Sequence, residues 1–241
     1  MNRESVLSSV DNLEARREKY PEVAKLVEQE YGRRKWRKRG TALDTLIGTI
    51  LSQNTTDKNS GRAFQNLKDT YPTYMDVMNA DVDELIDVIR VAGLGNQKGP
   101  RIQRSLQKIL DERGELDLEF LGEMDSDEAR DWLTDIKGIG LKTASIVVSF
   151  SFDGYAFPVD THINRVSQRI GFTPEGTTPD KAHYIMEEIV PPADYFAFHI
   201  QLIQHGRAVC KARSPKCDAC PLRHLCDYHS NLERSRNDDE P

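Results

Sequence analysis

The chain has 241 residues, with 33 Lys+Arg against 39 Asp+Glu for a net charge of −6; 38% of residues are hydrophobic and 30% charged. That length admits one large domain or two small ones around a real core. The acidic balance excludes a globally cationic nucleic-acid coater but leaves room for a locally basic face. No apolar run approaches the roughly 18–20 residues of a membrane helix. The opening MNRESVLSSVDNLEARREKY lacks the apolar region of a secretory signal, so a cytoplasmic chain is expected.

Taken in order, the elements read as helices throughout, which predicts an all-α fold. Residues 33–39 (RRKWRKR) place six cations around Trp36, and the rest of the chain holds 27 basic against 39 acidic residues. Breaks are expected at Tyr71-Pro72, residues 93–99, residues 138–140, residues 171–179 and Pro191-Pro192. In 101–114, Ile102, Leu106, Ile109 and Leu110 share one helical face, and Ile163, Val166 and Ile170 do so in 162–170. The β-branched run 146–152 has no alternating partner segment and reads as a buried helix. Ile185, Met186 and Ile189 mark another helix, and 196–204 one more. Residues 207–223 form a second basic stretch, a local +4, and the polar residues 230–241 are expected to be disordered. Two cationic stretches in an acidic chain suit a polyanionic partner, since phosphate contacts depend on local charge.

All four cysteines fall in this last part, as C-x6-C-x2-C-x5-C: Cys210, Cys217, Cys220 and Cys226. A disulfide framework would spread its cysteines to staple distant segments, so the clustering points to a metal site. Four thiolates on one loop can close around tetrahedral zinc or an iron–sulfur cluster, and the spacing alone does not choose.

Upstream, Ile136-Lys137-Gly138-Ile139-Gly140-Leu141-Lys142 joins two helices. Two glycines one residue apart permit a tight turn whose N–H groups face outward at a helix N-terminus, a natural phosphate seat. Lys142 lies in the first turn of the second helix. An ammonium there faces the positive end of the helix dipole, which suits a nucleophile better than a structural cation. Eighteen residues on, Asp160 in Val159-Asp160-Thr161-His162 precedes an amphipathic helix. It can be read as an N-cap or as a carboxylate facing a cationic reaction centre. His162 has no partner spaced to join it in binding a metal and is expected to be structural.

The ordered set GIGLKTA, VDTH, HGR (205–207) and the cysteine spacing closely resembles the endonuclease III branch of the helix-hairpin-helix DNA glycosylases, over about residues 41–228. The resemblance implies a [4Fe-4S] cluster on the four cysteines, and DNA contact by the basic loop bearing Lys211, Arg213 and Lys216. It implies a six-helix barrel domain over 40–154 containing the hairpin, with 1–39 and 155–241 forming a second helical domain. It casts Lys142 as the nucleophile at C1′ of a flipped-out nucleotide, forming a Schiff base that permits β-elimination and strand nicking. Asp160 becomes its partner, stabilising positive charge on the sugar. It also points to Asn54 and Leu94 as fillers of the gap left by flipping, and to Gly138, Gly140, Lys137 and Lys98 as further DNA-binding residues. The expected partner is duplex DNA carrying damaged bases or abasic sites, and the expected state a monomer.

The sequence departs from that pattern in places. The best-known bacterial members carry Gln where Asn54 stands, a proline where Lys137 stands, and commonly an aromatic in place of Gly95. Residues 1–40 match poorly. The favoured expectation is a glycosylase and AP lyase for oxidised pyrimidines in base excision repair. The alternatives are a mismatch or deaminated-base glycosylase and a non-catalytic DNA-binding module. No Glu occurs in 52–56, where adenine-excising relatives carry a catalytic one.

Overall fold

The computed structural model describes residues 3–238, and side chains through residue 235. The chain is all-α, with no strand among the described residues. It divides into two compact units, Met1–Trp36 with Tyr155–Pro241, and Arg37–Gly154.

The first unit begins with α1 (Arg3–Leu7), α2 (Leu13–Glu18) and α3 (Tyr20–Tyr31). Val23 and Val27 of α3 lie one turn apart on a single face and are fully buried. After Gly32 the backbone is irregular through 39, and Arg34, Lys35, Arg37 and Arg39 are exposed. Arg33 meets Asp194 and Glu28, whereas Lys38 meets Glu119.

The second unit holds α4 (Ala42–Ser52), α5 (Asp57–Thr70), α6 (Tyr74–Asn79), α7 (Val82–Val88), α8 (Gly95–Arg113), α9 (Ser126–Thr134) and α10 (Leu141–Phe152). Helix α4 packs against α5 and α10, burying Leu46, Ile47 and Ile50. The run 146–152 completes α10 and is a buried helix, as its isolation from any strand partner predicts. The break expected over 93–99 is shorter. Helix α8 already starts at Gly95, because Gly95 and Gly99 lie against Ile86, which a Cβ on either would approach to 3.0 Å. These glycines serve close helix packing rather than a turn.

Thr41 opens α4 with a reciprocal cap: its hydroxyl accepts from Asp44 N at 3.0 Å while Asp44 Oδ2 accepts from Thr41 N at 2.9 Å. Asp44 Oδ1 also accepts from the Tyr74 hydroxyl at 2.6 Å and Lys68 Nζ at 3.3 Å. Burial raises the Asp44 carboxyl, but these donors outweigh it and hold the group below its ordinary 3.8. An acid with a depressed native pKa stabilises the fold fully above its unfolded value and loses that contribution as pH falls. Asp44→Asn is therefore expected to cost about 1–2 kcal/mol at neutral pH. In denaturant titrations the gap to the unaltered protein should narrow as pH drops through about 4.

The chain then returns to the first unit as α11 (Thr161–Ile170), α12 (Pro179–Ile189), α13 (Tyr195–Ala208) and α14 (Asp227–Asp238). Ile163, Val166 and Ile170 of α11 pack with Ile185, Met186 and Ile189 of α12, with Phe198 of α13 and with the α3 valines. Tyr20 meets Phe198 edge-on with ring centroids 5.1 Å apart. The disorder expected for 230–241 is corrected over 230–238, which belongs to α14. Composition alone missed this because the helix is anchored upstream: Arg169 lies over the Tyr228 ring at 4.6 Å, and Lys19 bonds Asp227 at 2.7 Å. Residues 239–241 lie outside the described residues.

Candidate functional site

The hairpin forms between α9 and α10. Ile136 and Ile139 are buried and pin the turn, which Ile139 N closes by donating to Ile136 O at 2.9 Å. Lys137, Gly138 and Gly140 stay exposed between and beside them. Gly138 has φ 97°, a left-handed conformation that excludes ordinary side chains at little cost only to glycine. Gly140 is the N-cap of α10 at φ −98°, and no side chain caps the helix there. The first N–H groups of α10 are thus left for an outside acceptor, the arrangement that seats a phosphate. A Cβ on Gly140 would touch nothing within 4 Å. Gly140→Ala should therefore fold with a loss of about 1 kcal/mol or less. Its methyl would crowd the seat, so duplex affinity by anisotropy should fall about tenfold or more. Unchanged affinity would take the hairpin out of the interface.

Lys142 is half-buried at the second position of α10, two residues past this cap. Asp160 caps α11, with Oδ1 accepting from Ile163 N at 2.8 Å. Capping occupies one carboxylate oxygen of the two. His162 meets Arg165 Nη2 through Nδ1 at 3.2 Å, the structural part expected of it. Lys142 belongs to the unit Arg37–Gly154 and Asp160 to the other.

Asn54 and Leu94 are both exposed, and both have φ 53° without being glycine. Leu94 immediately precedes α8 and is 45% exposed, one of few large apolar side chains left facing solvent. Lys98 does not join them as a DNA-facing cation. It is 2% exposed, and its Nζ donates to Leu51 O at 2.8 Å and Ala92 O at 2.9 Å. Sequence reading takes a lysine for a solvated charge, and only its tertiary surroundings reverse that. Burial, and secondarily the Arg101 charge, pushes its ammonium below the ordinary lysine range.

The cysteine loop follows α13. Cys210 and Cys226 are buried with Leu222 in the core of the first unit, while Cys217 and Cys220 are half-buried. All four line one cavity, shared with His205, Arg169 and Lys216. No three His, Cys, Asp or Glu side chains among the described residues converge as ligands of a single ion. A metal centre held by all four thiolates would occupy this cavity. Burial pushes the Cys220 thiol up to about 11 and raises Cys226 as well, so these two bare thiols hold their protons at neutral pH. Metal binding displaces them.

Polar groups wrap this cavity. Arg169 Nη1 donates to Cys210 Sγ at 3.4 Å, and His205 Nε2 lies 3.7 Å from Cys220 Sγ. The Tyr31 hydroxyl meets His205 Nδ1 at 3.0 Å. Tyr31 and Arg169 escaped sequence reading, because Tyr31 lies 174 residues from His205 and no local signal links them. Lys211, Arg213 and Lys216 are exposed on the loop.

Comparison with known proteins agrees with this geometry. Residues 47–192 match the family model of the HhH-GPD superfamily base excision DNA repair proteins, and residues 210–226 match the iron–sulfur binding domain of endonuclease III. An endonuclease III of Sulfolobus acidocaldarius is 43% identical over 190 residues, covering 77% of this chain and 81% of its own. An endonuclease III of Synechocystis is 34% identical over 187 residues, again 77% and 81%. A solved non-covalent endonuclease III–DNA complex superposes with a TM-score of 0.75 at 30% identity, covering 90% of this chain and 98% of that one.

The chain belongs to the HhH-GPD superfamily of base excision DNA repair proteins: it is a DNA glycosylase, an enzyme that acts on DNA. Within that superfamily it falls in the endonuclease III branch, and its cysteine loop holds an iron–sulfur cluster.

Proposed function

We propose that this chain is a bifunctional glycosylase and AP lyase that removes oxidised pyrimidines from duplex DNA and nicks the resulting abasic site. The observation that carries this reading is Lys142, a half-buried primary amine in the first turn of α10, directly after an uncapped phosphate seat. An amine set beside a bound backbone phosphate is placed for attack on the neighbouring sugar once the nucleotide is turned out of the stack. Lys142 Nζ attacks C1′, and the C1′–N bond breaks with its electron pair leaving on the base. The nitrogen gives up one proton, and the sugar ring opens as the C1′–O4′ bond breaks with its electron pair going to O4′, which takes up a proton, leaving an iminium at C1′. Removal of a C2′ proton then expels the 3′ phosphate and cuts the strand.

Asp160 serves the same deoxyribose, its uncommitted oxygen balancing the positive charge that builds on the sugar. Gly138, Gly140 and Lys137 hold phosphate, while Asn54 and Leu94 fill the gap left by the flipped base. Lys211, Arg213 and Lys216, with the exposed cations of 33–39, contribute local positive charge for the backbone. The cysteines carry a [4Fe-4S] cluster, which fixes the loop's shape. The protein works as a cytoplasmic monomer, nucleoid-associated if its source is prokaryotic.

The test is purified protein on duplexes bearing thymine glycol, uracil, mismatches or abasic sites, with excision and nicking scored separately. Excision of thymine glycol accompanied by nicking is expected. Excision confined to uracil or mismatches, without nicking, would replace this reading with that of a monofunctional relative. Salt-sensitive binding with neither activity would leave only a DNA-binding module.

A further inference from the structure

Within residues 37–154, two exposed turns carry a residue other than glycine in the left-handed region, as the α10 C-cap Asp153 also does at φ 54°. Asn54 and Leu94 both sit in the left-handed region at φ 53°. Asparagine adopts that conformation readily, but in leucine it carries strain, which persists only where the surroundings over-determine it. Lys98 lies between the two turns, its side chain buried to 2% exposure. Its Nζ donates to Leu51 O, three residues before Asn54, and to Ala92 O, two residues before Leu94.

One helical turn along α8, Arg101 Nη1 donates to Gln53 Oε1 at 2.6 Å. The Arg101 side chain also lies 3.1 Å from the point where Gly138 would carry a Cβ. One helix thus reaches the Asn54 turn, the Leu94 turn and the hairpin with two cations. A buried apolar side chain at 98 would fill the same space at lower desolvation cost, but it could not tie two backbone carbonyls together.

We propose that Lys98 is a positioning residue. Its buried ammonium, backed by Arg101, locks the Asn54 and Leu94 turns at a fixed separation, so that both enter the duplex as one rigid probe. Its effect falls on extrusion of the base and not on breaking of the glycosidic bond. A wedge opens a base stack only if it is stiffer than the stack it displaces, and a loosened turn would yield instead. The proposal rests on the glycosylase reading above.

Lys98→Met keeps the volume and removes both hydrogen bonds. Single-turnover release of thymine glycol is compared on a fully paired duplex and on the same lesion inside an unpaired bubble, where the base is already unstacked. The variant should be about tenfold or more slower on the paired duplex, yet within about threefold of the unaltered protein on the bubble. A fluorescent adenine analogue opposite the lesion should brighten less on binding, and Arg101→Leu should act in the same direction more weakly. Equal losses on both substrates would overturn the proposal, as would no loss on either. Should Lys98→Met fail to fold, Lys98→Gln, which still offers one carbonyl an N–H, carries the same comparison. An unaltered protein that releases no base from either substrate overturns the oxidised-pyrimidine reading itself.

Discussion

Lys142→Gln is expected to abolish the proposed strand nicking and to slow base release by roughly three orders of magnitude or more, on the scale of removing a covalent nucleophile. The substitution should leave the fold intact, since Lys142 is half-buried at a helix start and Gln is an acceptable helix residue there. Duplex binding should persist, because the hairpin N–H groups and the left-handed turns are untouched. Gel-based excision and nicking assays under single-turnover conditions check both losses, and anisotropy checks binding. Nicking that survives the substitution would assign the chemistry to another amine.

Asp160→Asn separates capping from catalysis. Asparagine caps a helix as well as aspartate does, so the bond to Ile163 N survives and unfolding should shift by no more than about 0.5 kcal/mol. What disappears is the negative charge. Base release should fall roughly 10²–10⁴-fold, the range for a positioned acid–base or electrostatic group, with duplex affinity nearly unchanged. A variant that unfolds early yet turns over normally would reduce Asp160 to its cap.

Much of this was legible in the chain because it is written locally. Ile163, Val166 and Ile170 announce α11 by spacing alone, and Asp160 stands where an N-cap belongs. The four cysteines occur in a single short loop, so their grouping needs no tertiary knowledge. Long-range contacts were illegible for the complementary reason. Lys98 looks like any surface cation until Leu51 and Ala92 close over it from other elements. Gly95 and Gly99 look like a broken helix until Ile86 shows why no side chain fits. The polar stretch after 229 looks unstructured until Tyr228 and Asp227 are seen anchored by Arg169 and Lys19. In each case a side chain distant in sequence reverses what composition suggests.

Borohydride reduction of the protein on an abasic-site duplex, followed by proteolysis and mass mapping of the linked peptide, asks directly whether an amine of α10 meets deoxyribose. The sugar adduct should map to Lys142 and no other lysine. An adduct on a different residue, or nicking that proceeds with nothing trapped, would contradict it.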